Sequence, residues 1–285
     1  MACSVVILFA WRMDRRRAIT LLGAGLLVAA CSPKDVNPVK KSPVEKIAYG
    51  DGPSQFGELT RPTGTPRGVV VVIHGGFWKA EYDSSLGQPL AEDLAAKGWI
   101  AWNLEYRRVG NGGGWPRTLD DVAAGIDKLA DIPDVPTDKV VTLGHSAGGH
   151  LAVWAAGRPD LDGSDWADPK VLVTAAISQA GILDFVQANK LHLGGNATEA
   201  FMGGKTGDRY LLADPIRQIP LKVPVSCVHG SSDAIVPISQ SIDYVKAAKA
   251  AGARAELIEV DGDHFVVIDP STEAWQKTLG VLDSL

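Results

Sequence analysis

The sequence contains a serine in the setting of a nucleophile. Residues 144–148 read Gly-His-Ser-Ala-Gly and match the pattern G-x-S-x-G around Ser146. The β-branched run before this pattern and the small apolar residues after it predict a buried strand, a sharp turn and a helix. On such a turn the serine hydroxyl is presented at the carboxyl edge of a sheet, and the flanking glycines let the chain pass closely. Ser146 is therefore a candidate for attack on an acyl carbon.

A serine hydroxyl needs a base, and the base needs a carboxylate that orients it. For a serine on a strand-to-helix turn, these groups follow in the chain order serine, acid, histidine. Asp233 comes directly after an apolar run at 223–229, and His264 is the one histidine of six that follows it. Asp184 is the alternative acid. The order predicts a triad of Ser146, Asp233 and His264, and an activity that rises with pH as the imidazole loses its proton.

A glycine-containing loop follows the first long apolar run and could stabilise an oxyanion. The loop reads His-Gly-Gly-Phe-Trp at 74–78, and glycines there let backbone N–H groups approach a ligand. We expect His74 to brace this loop and not to act as a second base. The predicted oxyanion donors are the backbone N–H groups of Ala147, Gly76, Phe77 and Gly75. The predicted substrate pocket comprises Trp78, His145, Phe201 and Met202.

Strand and helix patterns alternate along the rest of the chain, which is typical of a mainly parallel sheet with helices on both faces. Apolar runs predict strands at 68–74, 99–104, 139–144, 171–178, 223–229 and 255–260. Helical spacing of apolar residues predicts helices at 84–97, 115–130, 146–156, 237–251 and 271–285. Residues 181–221 lack this alternation, and we expect them to form either an ordinary excursion between two strands or a small cap-like insertion over the site.

The N-terminal residues have the pattern of an export signal. Three arginines at 15–17 precede an apolar stretch at 18–30, which has the length of a signal-peptide core and is too short to span a bilayer. The stretch ends in Val-Ala-Ala-Cys, which resembles the lipobox of bacterial lipoproteins and predicts lipid attachment at Cys31. We expect a signal peptide at 1–31, with Met13 as the favoured start, and a tether at 32–43. The domain at 44–285 would then be exported and membrane-anchored, facing the periplasm or the cell exterior.

The composition argues against several classes of protein. A net charge of −5 and the lack of a basic block argue against a nucleic-acid partner. Three cysteines cannot form a disulfide framework, and the sequence lacks the His-Glu-x-x-His and Cys-x-x-Cys patterns of metal sites. Gly-Gly-Lys-Thr at 203–206 lacks the leading glycine of a phosphate-binding loop. We expect a small-molecule substrate and no cofactor, and no feature of the sequence points to a particular oligomeric state.

The motifs at 74–78, 144–149 and 263–265 resemble those of the α/β-hydrolase family, and the similarity covers about residues 44–285. Their H-G-G-x-W, G-H-S-A-G-G and D-H-F forms are most similar to its kynurenine formamidase and esterase/lipase branch. The resemblance implies an α/β-hydrolase fold, a carboxylic ester substrate and an acyl-enzyme mechanism without a cofactor. An aryl formamide, another amide or a peptide is the alternative substrate. A catalytically retired, surface-anchored binding protein is the alternative of another class.

Overall fold

The computed structural model describes residues 42–205 and 207–285, and eight strands within these residues form one sheet. The predicted signal peptide at 1–31, the lipid site at Cys31 and nearly all of the predicted tether lie outside the described residues. The strands are β1 (Val44–Ala48), β2 (Phe56–Thr60), β3 (Val69–Ile73), β4 (Ile100–Leu104), β5 (Val140–His145), β6 (Ala175–Gln179), β7 (Val225–Gly230) and β8 (Ala255–Val260).

The spatial order of the sheet is β1-β2-β4-β3-β5-β6-β7-β8. All pairs from β4 to β8 are parallel, while β1 and β2 pair antiparallel at one edge. The prediction of a mainly parallel sheet is therefore confirmed. The two antiparallel strands were not predicted, because β1 is mostly exposed and neither strand has an apolar run.

Helices cover both faces of the sheet, as predicted. Successive residues of β3 alternate between two apolar clusters, one holding Val71 with Leu151 and the other holding Val70 with Leu94 and Trp275. Burial on both faces explains why this strand is continuously apolar. The helices are α1 (Gln88–Ala96), α2 (Arg117–Asp127), α3 (Ala147–Gly157), α4 (Phe185–Lys190), α5 (Ala197–Met202), α6 (Arg209–Ala213), α7 (Ser239–Ala250) and α8 (Glu273–Ser284).

Residues 181–221 contain the three short helices α4, α5 and α6. Phe185 of this segment is fully buried and belongs to the same apolar cluster as α3. The segment thus adds to the core on one face of the sheet, where its apolar side chains are removed from water. The residues that line the cavity described below come from other parts of the chain, and the cap-like role of 181–221 stays a prediction.

The parallel strands bring four connecting segments to one edge of the sheet. The loop at 74–78 follows β3, Ser146 follows β5, Asp233 follows β7 and His264 follows β8. Because parallel strands end at the same edge, residues far apart in sequence can meet there.

No helix among the described residues is long and apolar enough to cross a bilayer.

Candidate active site

Ser146 lies between β5 and α3 in a backbone conformation that few residues other than glycine adopt. Its φ is 55° and its ψ is −119°, and such a conformation costs about 1–3 kcal/mol. The N–H of Ser146 donates to the carbonyl of Gln179 at 2.8 Å, which ties the turn to the end of β6. The surrounding fold thus holds Ser146 in a strained turn, as the G-x-S-x-G pattern predicts.

The glycines on either side of Ser146 are required by close backbone packing. A Cβ on Gly144 would lie 2.0 Å from the carbonyl oxygen of Gly148. A Cβ on Gly148 would lie 2.0 Å from the carbonyl oxygen of Ile73, at the end of β3. Both distances are far below a van der Waals contact, so no other residue fits without a shift of the backbone.

His264 and Asp233 form a short hydrogen bond at this edge of the sheet. Nδ1 of His264 lies 2.6 Å from Oδ2 of Asp233, and both side chains are buried. The other carboxylate oxygen, Oδ1, accepts the backbone N–H groups of Ile235 and Val236, each at 2.8 Å. Because an ionised carboxylate only accepts, Nδ1 of His264 carries the proton, and Nε2 of the neutral ring is left as an acceptor.

The hydrogen bonds around Asp233 keep it ionised. Burial alone would raise the pKa of its carboxyl, but the N–H donors of His229, His264 and Val236 outweigh burial and hold the pKa well below its usual range. An ionised carboxylate behind the imidazole stabilises the positive charge that the ring acquires when it accepts a proton. The pair therefore has the arrangement of a base and its orienting acid.

Ser146 and His264 line the same cavity, which has a volume of about 150 Å³. The rest of its wall is mostly apolar, and the apolar side chains are Phe77, Tyr82, Leu86, Ile235, Phe265 and Ile268. Four of these, Tyr82, Leu86, Ile235 and Phe265, are also partly exposed to solvent. They form an apolar rim around the cavity, and we refer to these four residues as the rim.

The loop at 74–78 borders this cavity through Gly76 and Phe77. Three successive residues of the loop have positive φ, namely 105° at Gly76, 54° at Phe77 and 55° at Trp78. Ala147 is the first residue of α3, where backbone N–H groups have no partner within the helix. The predicted donors of Ala147, Gly76 and Phe77 thus lie on the segments that carry Ser146 and border its cavity.

Gly75 has a packing role, and its place among the oxyanion donors stays a prediction. It does not line the cavity. A Cβ at this position would lie 2.8 Å from the carbonyl oxygen of His145 and 3.0 Å from Cβ of Ser146. Glycine is therefore needed here because the loop after β3 packs directly against the nucleophile turn.

Three of the four residues predicted for the substrate pocket lie in the core. Trp78, Phe201 and Met202 are fully or almost fully buried and do not line the cavity. The rings of Trp78 and Phe201 stack with centroids 4.7 Å apart, and Trp78 Nε1 donates to His150 at 3.2 Å. Burial of large apolar side chains stabilises a fold more than burial of small ones, so these three residues belong to the core and not to the substrate pocket. His145, the fourth, does line the cavity.

Two histidines beside the site are neutral and structural. Burial lowers the pKa of both His74 and His145 to about 3. His74 donates from Nδ1 to the carbonyl of Gly75 at 2.9 Å and stacks on Tyr106, so it braces the loop as predicted. His145 donates from Nε2 to the carbonyl of His264 at 2.9 Å, which fixes the backbone of the proposed base.

The alternative acid, Asp184, serves a different purpose. Its side chain accepts the N–H of Gln187 at 2.9 Å and caps the start of α4. Asp233, and not Asp184, is hydrogen-bonded to His264.

The sequence did not predict the rim, although Ile235 and Phe265 lie within two residues of Asp233 and His264. That proximity is a usable signal, whereas Tyr82 and Leu86 have no such neighbour.

Comparisons with known proteins agree with this fold. The model of the BD-FAE family matches residues 59–247. Esterase LipC of Mycobacterium tuberculosis is 28% identical over 235 residues, which are 76% of this chain and 58% of LipC. The isoprenylcysteine alpha-carbonyl methylesterase ICME of Arabidopsis thaliana is 27% identical over 262 residues, which are 85% of this chain and 60% of that protein. The chain thus spans somewhat less than two thirds of the length of these curated relatives.

Solved structures of esterases share the architecture. A truncated carbohydrate esterase from gut microbiota aligns with a TM-score of 0.71 at 20% identity, covering 86% of this chain and 96% of its own. Esterase 2 of Thermogutta terrifontis, phosphoramylated by tabun, aligns with a TM-score of 0.69 at 24% identity, covering 85% of this chain and 92% of its own. These similarities show an α/β-hydrolase fold. Because the family model matches more than half of this chain, the chain belongs to the BD-FAE family, an α/β-hydrolase esterase family.

Proposed function

We propose that the protein is a serine hydrolase that cleaves carboxylic esters through an acyl-enzyme. The observation that carries the proposal is the buried hydrogen bond between His264 and Asp233 on a cavity that Ser146 also lines. Family membership and the esterase relatives support the same reaction class. Arranged in this way, a serine, an imidazole and a carboxylate can act as nucleophile, base and orienting acid.

In the proposed reaction, Nε2 of His264 accepts the hydroxyl proton of Ser146 while Oγ attacks the ester carbonyl. The N–H groups of Ala147, Gly76 and Phe77 stabilise the oxyanion, and each such donor contributes about 3–4 kcal/mol in related chemistry. The imidazolium returns its proton to the leaving alcohol, which departs and leaves the acyl group on Ser146. Water then repeats the attack with His264 as base and releases the acid.

The cavity favours an uncharged, apolar group on the ester. Its volume of about 150 Å³ is similar to that of an apolar protein cavity that holds benzene. The rim adds partly exposed apolar surface, which would extend contacts with the substrate outside the cavity. We therefore propose that esters with an acyl or alcohol group of about six carbons or fewer are cleaved faster than charged or bulky esters.

A substrate panel tests this function. The chain is assayed with p-nitrophenyl esters from acetyl to palmitoyl, an aryl formamide and a prolyl amide. We expect the highest kcat/KM for short apolar esters. Faster cleavage of the formamide or the amide would replace the ester assignment by an amidase function. No turnover of any substrate, together with no reaction with a fluorophosphonate, would contradict enzymatic function and favour a binding protein.

We also propose that residues 1–31 direct export and that Cys31 carries a lipid. The proposal is supported by the arginines at 15–17, the apolar stretch at 18–30 and the Val-Ala-Ala-Cys end of that stretch. Mass spectrometry of the protein from bacterial membranes should show an acylated N-terminal Cys31, and Cys31→Ser should abolish the lipid. A peptide that contains Ala30 joined to an unmodified Cys31 would contradict the proposal.

A further inference from the structure

A second buried histidine contacts the carboxylate of the proposed triad. His229, the penultimate residue of β7, is fully buried. Its Nε2 lies 2.9 Å from the carbonyl oxygen of Val236 and 3.3 Å from Oδ2 of Asp233. Because a carbonyl only accepts, this Nε2 carries a proton. Oδ2 therefore faces two imidazole N–H groups, one from His229 and one from His264.

The ring of His229 is held at both of its nitrogens. Its Nδ1 lies 2.7 Å from Oγ of Ser241, a fully buried residue in the first turn of α7. Because the proton lies on Nε2, Nδ1 accepts a hydrogen bond from the hydroxyl of Ser241. A strand, a helix and the backbone at Val236 thus fix the orientation of the ring. The N–H of His229 is directed by these contacts and not by Asp233 alone.

We propose that His229 is a positioning residue for the reaction. Its N–H contacts the same carboxylate oxygen, Oδ2 of Asp233, as His264 does, and this contact weakens the electrostatic interaction between Oδ2 and the ring of His264. The proposal rests on the proposed triad. Oδ1 of Asp233 is already held by two backbone N–H groups, so the carboxylate stays in place when His229 is lost. Oδ2 then faces His264 alone, and its undivided charge favours the protonated ring of the base.

Other titratable groups lie near His264 and Asp233, and two of them keep the same charge over the pH range of the test described below. His145, at the end of β5, has its ring centroid 4.5 Å from that of His264, but burial lowers its pKa to about 3. Cys227 of β7 is close to Ser241, and burial raises its pKa to about 12. Asp263 precedes His264 and accepts the backbone N–H groups of residues 265 and 266. His145 and Cys227 therefore stay uncharged between pH 5 and 9.

Two variants of His229 separate this effect from a loss of packing. His229→Leu removes the N–H donor, whereas His229→Gln keeps an N–H donor on a side chain that can reach the same place. His150→Leu is the matched control, since His150 is also fully buried and donates to a backbone carbonyl, that of Ala213, at 2.9 Å. For each variant, kcat and KM for a short p-nitrophenyl ester are measured from pH 5 to 9, together with thermal unfolding. The ring of His264 is titrated in parallel by NMR.

We expect His229→Leu to move the midpoint of the acidic limb of kcat/KM upward by about half a pH unit. The NMR midpoint of His264 should move by the same amount, and KM should stay within about twofold because His229 does not line the cavity. His229→Gln and His150→Leu should both keep the wild-type midpoint.

An unchanged midpoint in His229→Leu, with activity reduced by one factor at every pH, would overturn the proposal and leave His229 a packing role only. An equal shift in His229→Gln would also overturn it, because the N–H donor would then be irrelevant. If the wild-type chain cleaves no ester, the NMR titration still decides the question. A shifted midpoint would support the role of His229 while the proposed function fails.

Discussion

Replacement of Asp233 by asparagine is informative because the surrounding donors dictate how the new amide must lie. Oδ1 of Asp233 accepts two backbone N–H groups, from Ile235 and Val236. The amide oxygen of the asparagine must therefore occupy the position of Oδ1. Its NH₂ group then takes the place of Oδ2 and faces the N–H groups of His264 and His229, which are also donors.

His264 can relieve this opposition of donors by carrying its proton on Nε2 instead of Nδ1. In that tautomer Nε2 cannot accept the proton of Ser146, so the base is lost although the ring stays in place. In a serine protease triad, the same wrong tautomer lowers kcat about 10⁴-fold. A factor of that size corresponds to about 5.4 kcal/mol of transition-state stabilisation. We expect Asp233→Asn to lower kcat/KM about 10³- to 10⁴-fold.

The assay is kcat/KM for a short p-nitrophenyl ester at pH 8, with circular dichroism and thermal unfolding to check the fold. Asp184→Asn is the matched control, because Asp184 is the other acid suggested by the sequence but caps α4 in the structure. This control should keep activity within about threefold and lose at most about 1 kcal/mol of stability. If Asp233→Asn retained more than about a tenth of the wild-type kcat/KM, Asp233 would not be the orienting acid.

Three further substitutions test the packing, the cavity and a buried carboxyl group. Gly148→Ala should lower the free energy of unfolding, measured in urea, by about 3 kcal/mol or more. The reason is that the new Cβ would lie 2.0 Å from the carbonyl oxygen of Ile73. An unchanged free energy of unfolding would contradict the tight turn. Phe265→Ala should raise KM for an apolar ester about fivefold, whereas Leu172→Ala, similarly exposed but outside the cavity, should not; equal effects would exclude Phe265 from binding. Burial raises the pKa of Asp214 to about 7. The unfolded chain loses this proton near pH 4, so stability falls as the pH rises from about 4 to 7. Asp214→Asn should therefore raise the free energy of unfolding, measured in urea, by about 2–3 kcal/mol more at pH 8 than at pH 5. An effect of the same size at both pH values would contradict a buried neutral carboxyl.

The strands of the sheet centre could be predicted because burial on both faces leaves an unbroken apolar run. The predicted bounds of β8 are those observed, and β3 differs by one residue at each end. The edge strand β1 contains a glutamate and a lysine and is mostly exposed, so no apolar run marks it. Its position depends on pairing with β2, which is a contact between segments and not a local property of the sequence.

The residues proposed to react could be predicted for a related reason. In a parallel sheet the position of a residue after a strand fixes the edge at which it lies, so the G-x-S-x-G pattern and the chain order together predict Ser146, Asp233 and His264 at one edge. The cavity wall could not be assigned in this way. Its side chains come from loops, and whether an aromatic residue such as Trp78 or Phe265 is buried or borders a cavity depends on the path of the backbone.

The contact between His229 and Asp233 also depends on geometry that the sequence does not reveal. His229 ends an apolar run, and the sequence pattern predicts only the end of a strand there. The backbone turn from 230 to 236 brings Asp233 and Val236 back to Nε2 of its ring. Turn geometry of this kind is set by several hydrogen bonds acting together, among them those from the backbone to Oδ1 of Asp233.

Covalent labelling of the intact chain with a fluorophosphonate tests the proposed nucleophile most directly. One adduct is expected, located by peptide mass spectrometry on Oγ of Ser146, and it should form together with the loss of ester hydrolysis. In Ser146→Ala both the label and the hydrolysis should disappear while the thermal unfolding curve is retained. Hydrolysis that persists in Ser146→Ala, or a label on another residue that abolishes activity, would contradict the proposed nucleophile.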